Sequence, residues 1–91
     1  MDTAMKQKAR VLKVLGDPNR LRIIDLLRDG ELCQCEIIPV IGQSQPNVSR
    51  HLRLMEKAGI LTKRKDGTRT LYKVSHEGVF TIIDLVALVG S

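Results

Sequence analysis

Hydrophobic positions in this chain recur mostly at helical spacing. Met5, Ala9, Leu12 and Leu15 form one stripe, widened by Val11 and Val14, and predict an amphipathic helix over residues 5–15 that stops at Gly16. Asp17-Pro18 then supplies an N-cap and a first-turn proline for a second helix. Within it Leu21, Ile24 and Leu27 repeat, with Ile23 and Leu26 alongside, and Gly30 is its expected stop. A short third helix is predicted over residues 35–41. Pro39 would fall inside it and remove a backbone donor, so a late start near Glu36 is expected, leaving Cys33 in an extended or turn-like lead-in.

Gly42-Gln43-Ser44 reads as a turn, with Ser44 or Gln45 capping a fourth helix and Pro46 at its first position. Val48, Leu52 and Met55 form its core stripe, while Gln45, Asn47, Ser49, Arg50 and Arg53 lie on the other face; Ala58-Gly59 ends it. The pattern then changes period. Leu61 to Lys65 and Thr68 to Val74 are strand-like runs about Asp66-Gly67, which predicts a hairpin with a type I′ turn. Last comes Val79 to Val89, apolar nearly all round except for Thr81 and Asp84. Such a helix cannot be left in water, and pairing with a second subunit, together with the first helix, is the expected solution.

The resulting fold class is mainly α with a small β-hairpin: a winged helix-turn-helix, dimerised through its N- and C-terminal helices, in one domain spanning residues 1–91. An aliphatic core is expected, since the chain has one Phe, one Tyr and no Trp. No run approaches the roughly 20 apolar residues of a membrane span, and Met-Asp-Thr-Ala-Met-Lys lacks the apolar core of a signal peptide. A cytoplasmic location and no membrane partner are therefore expected. In that compartment Cys33 and Cys35 are expected as thiols, not as a structural disulfide.

Charge sharpens the picture because it is concentrated. Arg50, Arg53, Lys57, Lys63, Arg64, Lys65, Arg69 and Lys73 face only Glu56 and Asp66 between residues 50 and 73, a net +6 within a chain whose total is +5. A patch of this kind suits a polyanion, because phosphate contacts release counterions. The outward side chains of the turn and fourth helix suit base edges: Gln43, Gln45 and Asn47 can pair with adenine, Arg50 and Arg53 with guanine, Ser44 and Ser49 with bases or phosphate. Lys63, Arg64, Lys65 and Arg69 on the hairpin suit phosphate or minor-groove contact. His51 lies beside the core stripe, either as a phosphate contact or as a packed histidine; His76 reads as a cap or packing residue. Double-stranded operator DNA is the expected partner, with reading helices of a homodimer entering major grooves about 34 Å apart. No set of nucleophile, base and orienting residue is readable, so no enzyme is expected.

The runs Asp17-Pro18-Asn19-Arg20-Leu21-Arg22-Ile23, Glu31-Leu32-Cys33-Gln34-Cys35-Glu36-Ile37 and Gln43-Ser44-Gln45-Pro46-Asn47-Val48-Ser49-Arg50-His51-Leu52 resemble the ArsR/SmtB family of metalloregulatory repressors. The likeness continues through Leu54, Ala58-Gly59-Ile60-Leu61, Arg64, Gly67 and Tyr72. The Glu-Leu-Cys-x-Cys box is similar to that of the arsenic-responsive branch. The resemblance implies a homodimeric repressor with no obligatory cofactor. It would leave its operator when arsenite, antimonite or another soft metal ion binds the thiolates of Cys33 and Cys35. Where that box often carries a third cysteine, this chain has Ile38, so two thiolates plus a small ligand are implied. Cadmium and lead sensors of the family add N-terminal cysteines, and zinc and nickel sensors use Asp and His pairs on the last helix; here Asp84 stands alone.

Soft thiolates select thiophilic ions. On a helix, residues i and i+2 project about 200° apart, whereas on an extended segment they share a side; ligand capture by both sulfurs therefore calls for a non-helical lead-in. A helix N-terminus also favours thiolate. Three rivals remain open from the residues alone: two small buried hydrophobes, a thiol-redox or ligand-independent regulator of the same fold, although a disulfide between i and i+2 is strained, and a protein-interaction winged helix that does not bind DNA.

Overall fold

The computed structural model describes residues 2–90. Five helices and three short strands follow in the order α1 (Thr3–Leu15), α2 (Pro18–Leu26), β1 (Leu32–Cys33), α3 (Gln34–Ile41), α4 (Gln45–Lys57), β2 (Leu61–Asp66), β3 (Arg69–Val74) and α5 (Gly78–Val89). Caps set most of the starts. The Asp2 carboxylate accepts the Met5 N–H at 2.8 Å at the head of α1, and Asp17 accepts those of Asn19 and Arg20 at 2.9 and 3.2 Å at the head of α2. Ser44, not Gln45, caps α4 by accepting the Asn47 N–H at 3.3 Å, so Pro46 falls at the second helical position.

Four details differ from the sequence expectation. α2 ends at Leu26 and not at Gly30: at Leu27 (φ −90°, ψ 3°) the chain leaves the α-helix and runs through short turns to Gly30. α3 starts at Gln34, two residues before Glu36, with Pro39 inside it. The early start is supported by an unusual cap: Cys33 Sγ accepts the Cys35 N–H at 3.0 Å, and the Glu36 carboxylate reaches back to the Cys33 N–H at 2.9 Å. Pro39 lies on the exposed side of α3, where a carbonyl deprived of its donor can turn to water. The hairpin loop is Gly67-Thr68, one residue later than expected, with Asp66 paired to Arg69. Positive φ occurs at Gly67 alone (64°), which is the type II′ pattern, since type I′ needs it at both central positions. The hairpin also gains a third strand. β1 pairs antiparallel with β3 through Leu32↔Tyr72 and Cys33↔Leu71, giving the order β1-β3-β2.

A single apolar cluster joins the layers. Ile23, Ile24, Ile37, Val48, Leu52 and Met55 are fully buried where α2, α3 and α4 meet, and Ile60, Leu61 and Tyr72 close the side toward the sheet. Three arginines then anchor helix ends that side-chain packing leaves polar. Arg10 donates to the Lys57 carbonyl at 2.9 Å at the end of α4, Arg20 to that of Val14 at 3.1 Å at the end of α1, and Arg22 to those of Val40 and Ile41 at 2.9 and 3.3 Å at the end of α3. Each cation meets orphan carbonyls at the negative end of a helix dipole.

α1 and α5 are less complete. Val79 is buried, with Phe80 and Ile83 partly packed, yet Met5, Leu12, Ile82, Leu85 and Val86 are 51%, 57%, 39%, 54% and 57% exposed. No helix among the described residues is long and apolar enough to cross a membrane. Since Leu52 is wholly buried in the central cluster, Leu52→Ala is expected to cost about 2–5 kcal/mol. Urea unfolding at one fixed protein concentration, read by circular dichroism, checks this; a change within about 0.5 kcal/mol would contradict the packing described.

Candidate nucleic-acid interface and cysteine pair

The turn at residues 42–44 sets α4 against α3, and the side chains it turns outward are those expected from the pattern. Gly42 makes this corner at φ 77°, a left-handed conformation that closes α3. Ser44, Gln45, Asn47, Arg50 and Arg53 are exposed along the start and outer face of α4. Lys63, Arg64, Lys65 and Arg69 are exposed on the hairpin beside it. A cleft between the two is lined by Gln34, Ser49, Arg53, Lys63, Arg64, Lys65, Thr70 and Tyr72. The candidate cations of α4 and the wing are thus exposed beside one another, and three of the four on the wing, Lys63, Arg64 and Arg69, are paired with carboxylates. Lys63 lies 3.8 Å from Glu56, and Arg69 the same distance from Asp66. Such exposed pairs are weak and can open for a phosphate.

His51 is not part of that surface. It is 4% exposed, held between Arg20 Nε, 3.0 Å from its Nδ1, and the side-chain Oε1 of Gln43, 3.2 Å from its Nε2. An arginine can only donate, so Nδ1 carries the lone pair and Nε2–H donates to Gln43. The ring is neutral, and of the two sequence readings the packed histidine is the one realised. Gln43 is correspondingly half-buried and engaged. The Asp17 carboxyl, although burial alone would raise it, is held below its ordinary range by the N–H groups of Arg20 and Asn19. Arg20 thus ties the α1 end, the α2 start and the middle of α4 into one network; its role, and those of Arg10 and Arg22, carried no local signal in the chain.

Cys33 and Cys35 come together, with a correction to their expected state. Cys33 is extended (φ −67°, ψ 144°) and buried, Cys35 is exposed in the first turn of α3, and their sulfurs are joined as a disulfide with the Cα atoms 5.1 Å apart. Two free thiols were expected; the extended lead-in explains why the sulfurs share a side and meet. They open into a shallow groove whose other walls include Ile38, Gln45 and the wing residues Thr68, Arg69 and Thr70. Among the described residues no group of three or more His, Cys, Asp or Glu side chains is placed to hold a metal ion. Asp84 on α5 is paired with Arg28 at 2.7 Å, and His76 accepts the Gly78 N–H at 2.8 Å, a capping role.

Two connections run from the cysteine segment to α4 and the wing. Glu31, just before β1, forms a two-pronged ion pair with Arg64 of the wing, and that Arg64 hydrogen bond holds the carboxyl below its ordinary range. Gln34, between the cysteines, donates its amide to the Ser49 hydroxyl on α4. In the sheet, Cys33, Leu71 and Arg64 occupy one rung.

Burial first, and the Arg20 guanidinium second, lower the His51 pKa from its ordinary value of 6.5. The unfolded chain then takes up a proton as pH falls through about 6.5 while folded His51 resists it. The contribution is therefore complete above that pH and declines below it toward the folded pKa. Urea midpoints between pH 7.5 and 5 should fall with acidity, with a smaller slope in His51→Gln; equal slopes would contradict a neutral, locked His51.

Comparison with known proteins agrees with this geometry. The family model described as "Bacterial regulatory protein, arsR family" matches residues 17–63, from the α2 cap through α4 into the wing. The arsenical resistance operon repressor of Staphylococcus xylosus is 42% identical over 72 residues, 79% of this chain and 69% of that protein. An HTH-type transcriptional regulator of Methanocaldococcus jannaschii is 42% identical over 82 residues, 89% of this chain and 92% of that protein. Among solved structures, the homodimeric winged helix-turn-helix DNA-binding domain of a possible ArsR-family regulator from Mycobacterium bovis is similar with a TM-score of 0.85 at 33% identity, covering 96% of this chain and 81% of that one. With its helix-turn-helix, basic wing and cysteine box in these positions, the chain belongs to the ArsR family of DNA-binding transcriptional regulators.

Proposed function

We propose that this chain is a cytoplasmic, homodimeric repressor that binds a two-fold operator and releases it when arsenite, antimonite or another thiophilic ion is held by Cys33 and Cys35. The single observation that carries the sensor half is the meeting of the two sulfurs at the head of α3, the helix that packs behind α4. Relatives named for arsenical resistance, in Staphylococcus xylosus and Staphylococcus aureus, support the choice of ion. The donor chemistry fits: two thiolates suit a soft ion, and Ile38 in the same groove adds no third donor from this chain. Capture requires the reduced pair, so the disulfide must first take up two electrons and two protons from two cellular thiols, which leave joined as their own disulfide.

DNA contact rests on Gln43, Ser44, Gln45, Asn47, Ser49, Arg50 and Arg53 of the turn and α4, with Lys63, Arg64, Lys65 and Arg69 of the wing. Ser44, Asn47 and Arg50 are the most openly disposed toward base edges, while Gln43 acts chiefly through His51 by setting the turn. The wing cations suit phosphates, which position without specifying. The second subunit covers the apolar faces of α1 and α5, where Leu12, Ile82 and Val86 border a common groove. One operator half-site per subunit follows from that symmetry.

One observation favours a second reading of the cysteines. Because the sulfurs are already joined, oxidation itself could be the signal: hydrogen peroxide would convert the dithiol to the disulfide with release of two waters. Fluorescence anisotropy on an operator duplex separates the two. Arsenite added to reduced protein should weaken binding at least tenfold, and Cys33→Ser and Cys35→Ser should abolish the response while still binding DNA. Release by peroxide and not by arsenite would replace the first reading with the second.

Two further outcomes test the DNA and dimer surfaces. Operator affinity should fall steeply with salt, and Lys65→Gln should reduce the slope of log K against log salt by about 1; an unchanged slope removes Lys65 from the phosphate contacts. Leu12→Glu would bury an unpaired carboxylate, which costs several kcal/mol, at the subunit contact. Light scattering should then show monomers, and operator binding should weaken with them. A stable Leu12→Glu dimer would relocate the interface.

A further inference from the structure

We infer that Gln34 is the positioning residue through which occupancy of the cysteine pair reaches α4, acting by the hydrogen bond from its side-chain amide to the Ser49 hydroxyl. This inference rests on the sensor reading above and goes beyond it by assigning the transmission to one side chain of this chain. Three observations carry it.

The first is covalent position. Gln34 is the sole residue between the two sulfur-bearing positions, so any change in the separation of the sulfurs is taken up by backbone rotations that flank or include it. The second is asymmetry of restraint. Cys33 is buried, paired with Leu71 in the sheet and hydrogen-bonded through its N–H to Glu36, whereas Cys35 is exposed at the head of α3. Adjustment to a bridging ligand therefore falls on residues 34 and 35, not on the strand. The third is the bond itself. The Gln34 amide spans 15 positions of chain to Ser49, which is half-buried on α4 among the DNA-facing side chains. The other connection, Glu31 to Arg64, leaves from the far side of Cys33, where the ladder holds the chain in place.

The switch has two arrangements. With the two sulfurs side by side and no ion between them, as in the disulfide, the amide–hydroxyl bond fixes Ser49 and the cleft between α4 and the wing. With the pair holding an ion, residue 34 rotates, the bond is lost, and α4 is no longer held in register with the wing. This is a differential contact between two states, which coupling between sites requires. A merely structural Gln34 would stabilise both states alike and leave the response to ligand unchanged.

The test compares wild type, Gln34→Leu and Gln34→Glu, each reduced. Gln34→Leu keeps the side-chain volume and removes the donor; Gln34→Glu restores a partner by accepting from the Ser49 hydroxyl. Operator affinity is measured with and without arsenite, arsenite uptake by loss of titratable thiols, and the Gln34 side-chain amide by ¹⁵N NMR in the wild-type protein. In wild type, arsenite should shift the Gln34 amide resonances and weaken operator binding at least tenfold. Gln34→Leu should take up arsenite equally yet be released no more than about threefold, and Gln34→Glu should regain most of the response. Equal release of wild type and Gln34→Leu, at equal uptake, overturns the role of Gln34 while leaving the sensor reading intact. A wild-type protein that takes up arsenite without releasing DNA overturns both.

Discussion

The hydrogen bond from Arg20 to His51 is the constraint on which the placement of α4 depends. It connects the corner between α1 and α2 to the middle of α4, and it joins the half-buried Arg20 to a buried His51 ring. Arg20 is itself fixed at both ends of its chain. Its backbone N–H is capped by Asp17, and its guanidinium also meets the last turn of α1. His51 in turn orients Gln43, which belongs to the turn before α4. Removing one partner of such a buried network leaves the others unsatisfied, at a cost larger than the net worth of any one bond. The position of α4 along its own axis is therefore set by polar geometry, whereas its depth is set by the apolar stripe of Val48, Leu52 and Met55.

This division explains how a small chain can hold a reading helix firmly while leaving the cysteine segment adjustable. α4 is anchored at its middle by His51 and at its end by Arg10. α3 is anchored at its C-terminal end by Arg22 and across its inner face by Ile37 and Ile41. Its N-terminal end is held differently, by a cysteine cap, a glutamate and a two-residue strand. Those are the elements that any chemistry at the sulfurs alters directly. The Gln34 bond to Ser49 lies at this same end of α3, beside the cysteine cap.

Legibility from the sequence follows the range of the interactions. Asp17-Pro18, Ser44-x-Pro46 and the strand periods are local and were readable, as were the apolar stripes of α1, α2 and α4. The start of α3 was misread because sulfur is an uncommon cap and because the outward side of Pro39 is a tertiary fact. β1 is two residues long, below any periodic signal, and exists only because β3 offers it an edge. The roles of Arg10, Arg20 and Arg22 join residues 47, 31 and 18 or 19 positions apart, and no spacing rule reaches so far. The exposed polar face of α4 was legible, but His51 sat at the border of two faces. Burial decided it.

The apolar surface of α1 and α5 raises the remaining physical question, which is why it does not simply fold inward. α5 docks through Val79, Phe80 and Ile83, and Arg28 secures it from the turn after α2, pairing with Asp84 and lying 5.0 Å over the Phe80 ring. That contact fixes the helix with Leu85 and Val86 turned away from the body, since Asp84 must face Arg28 and helical neighbours one and two positions on point elsewhere. The exposed pair at the edge is worth little alone. Combined with the ring contact and the buried Val79 it is enough to choose one face of α5 over another. An apolar face held outward in this way is one that the chain's own folding leaves uncovered: the polar contact at Asp84 decides which side of α5 the core takes, and the apolar side chains on the opposite side stay exposed.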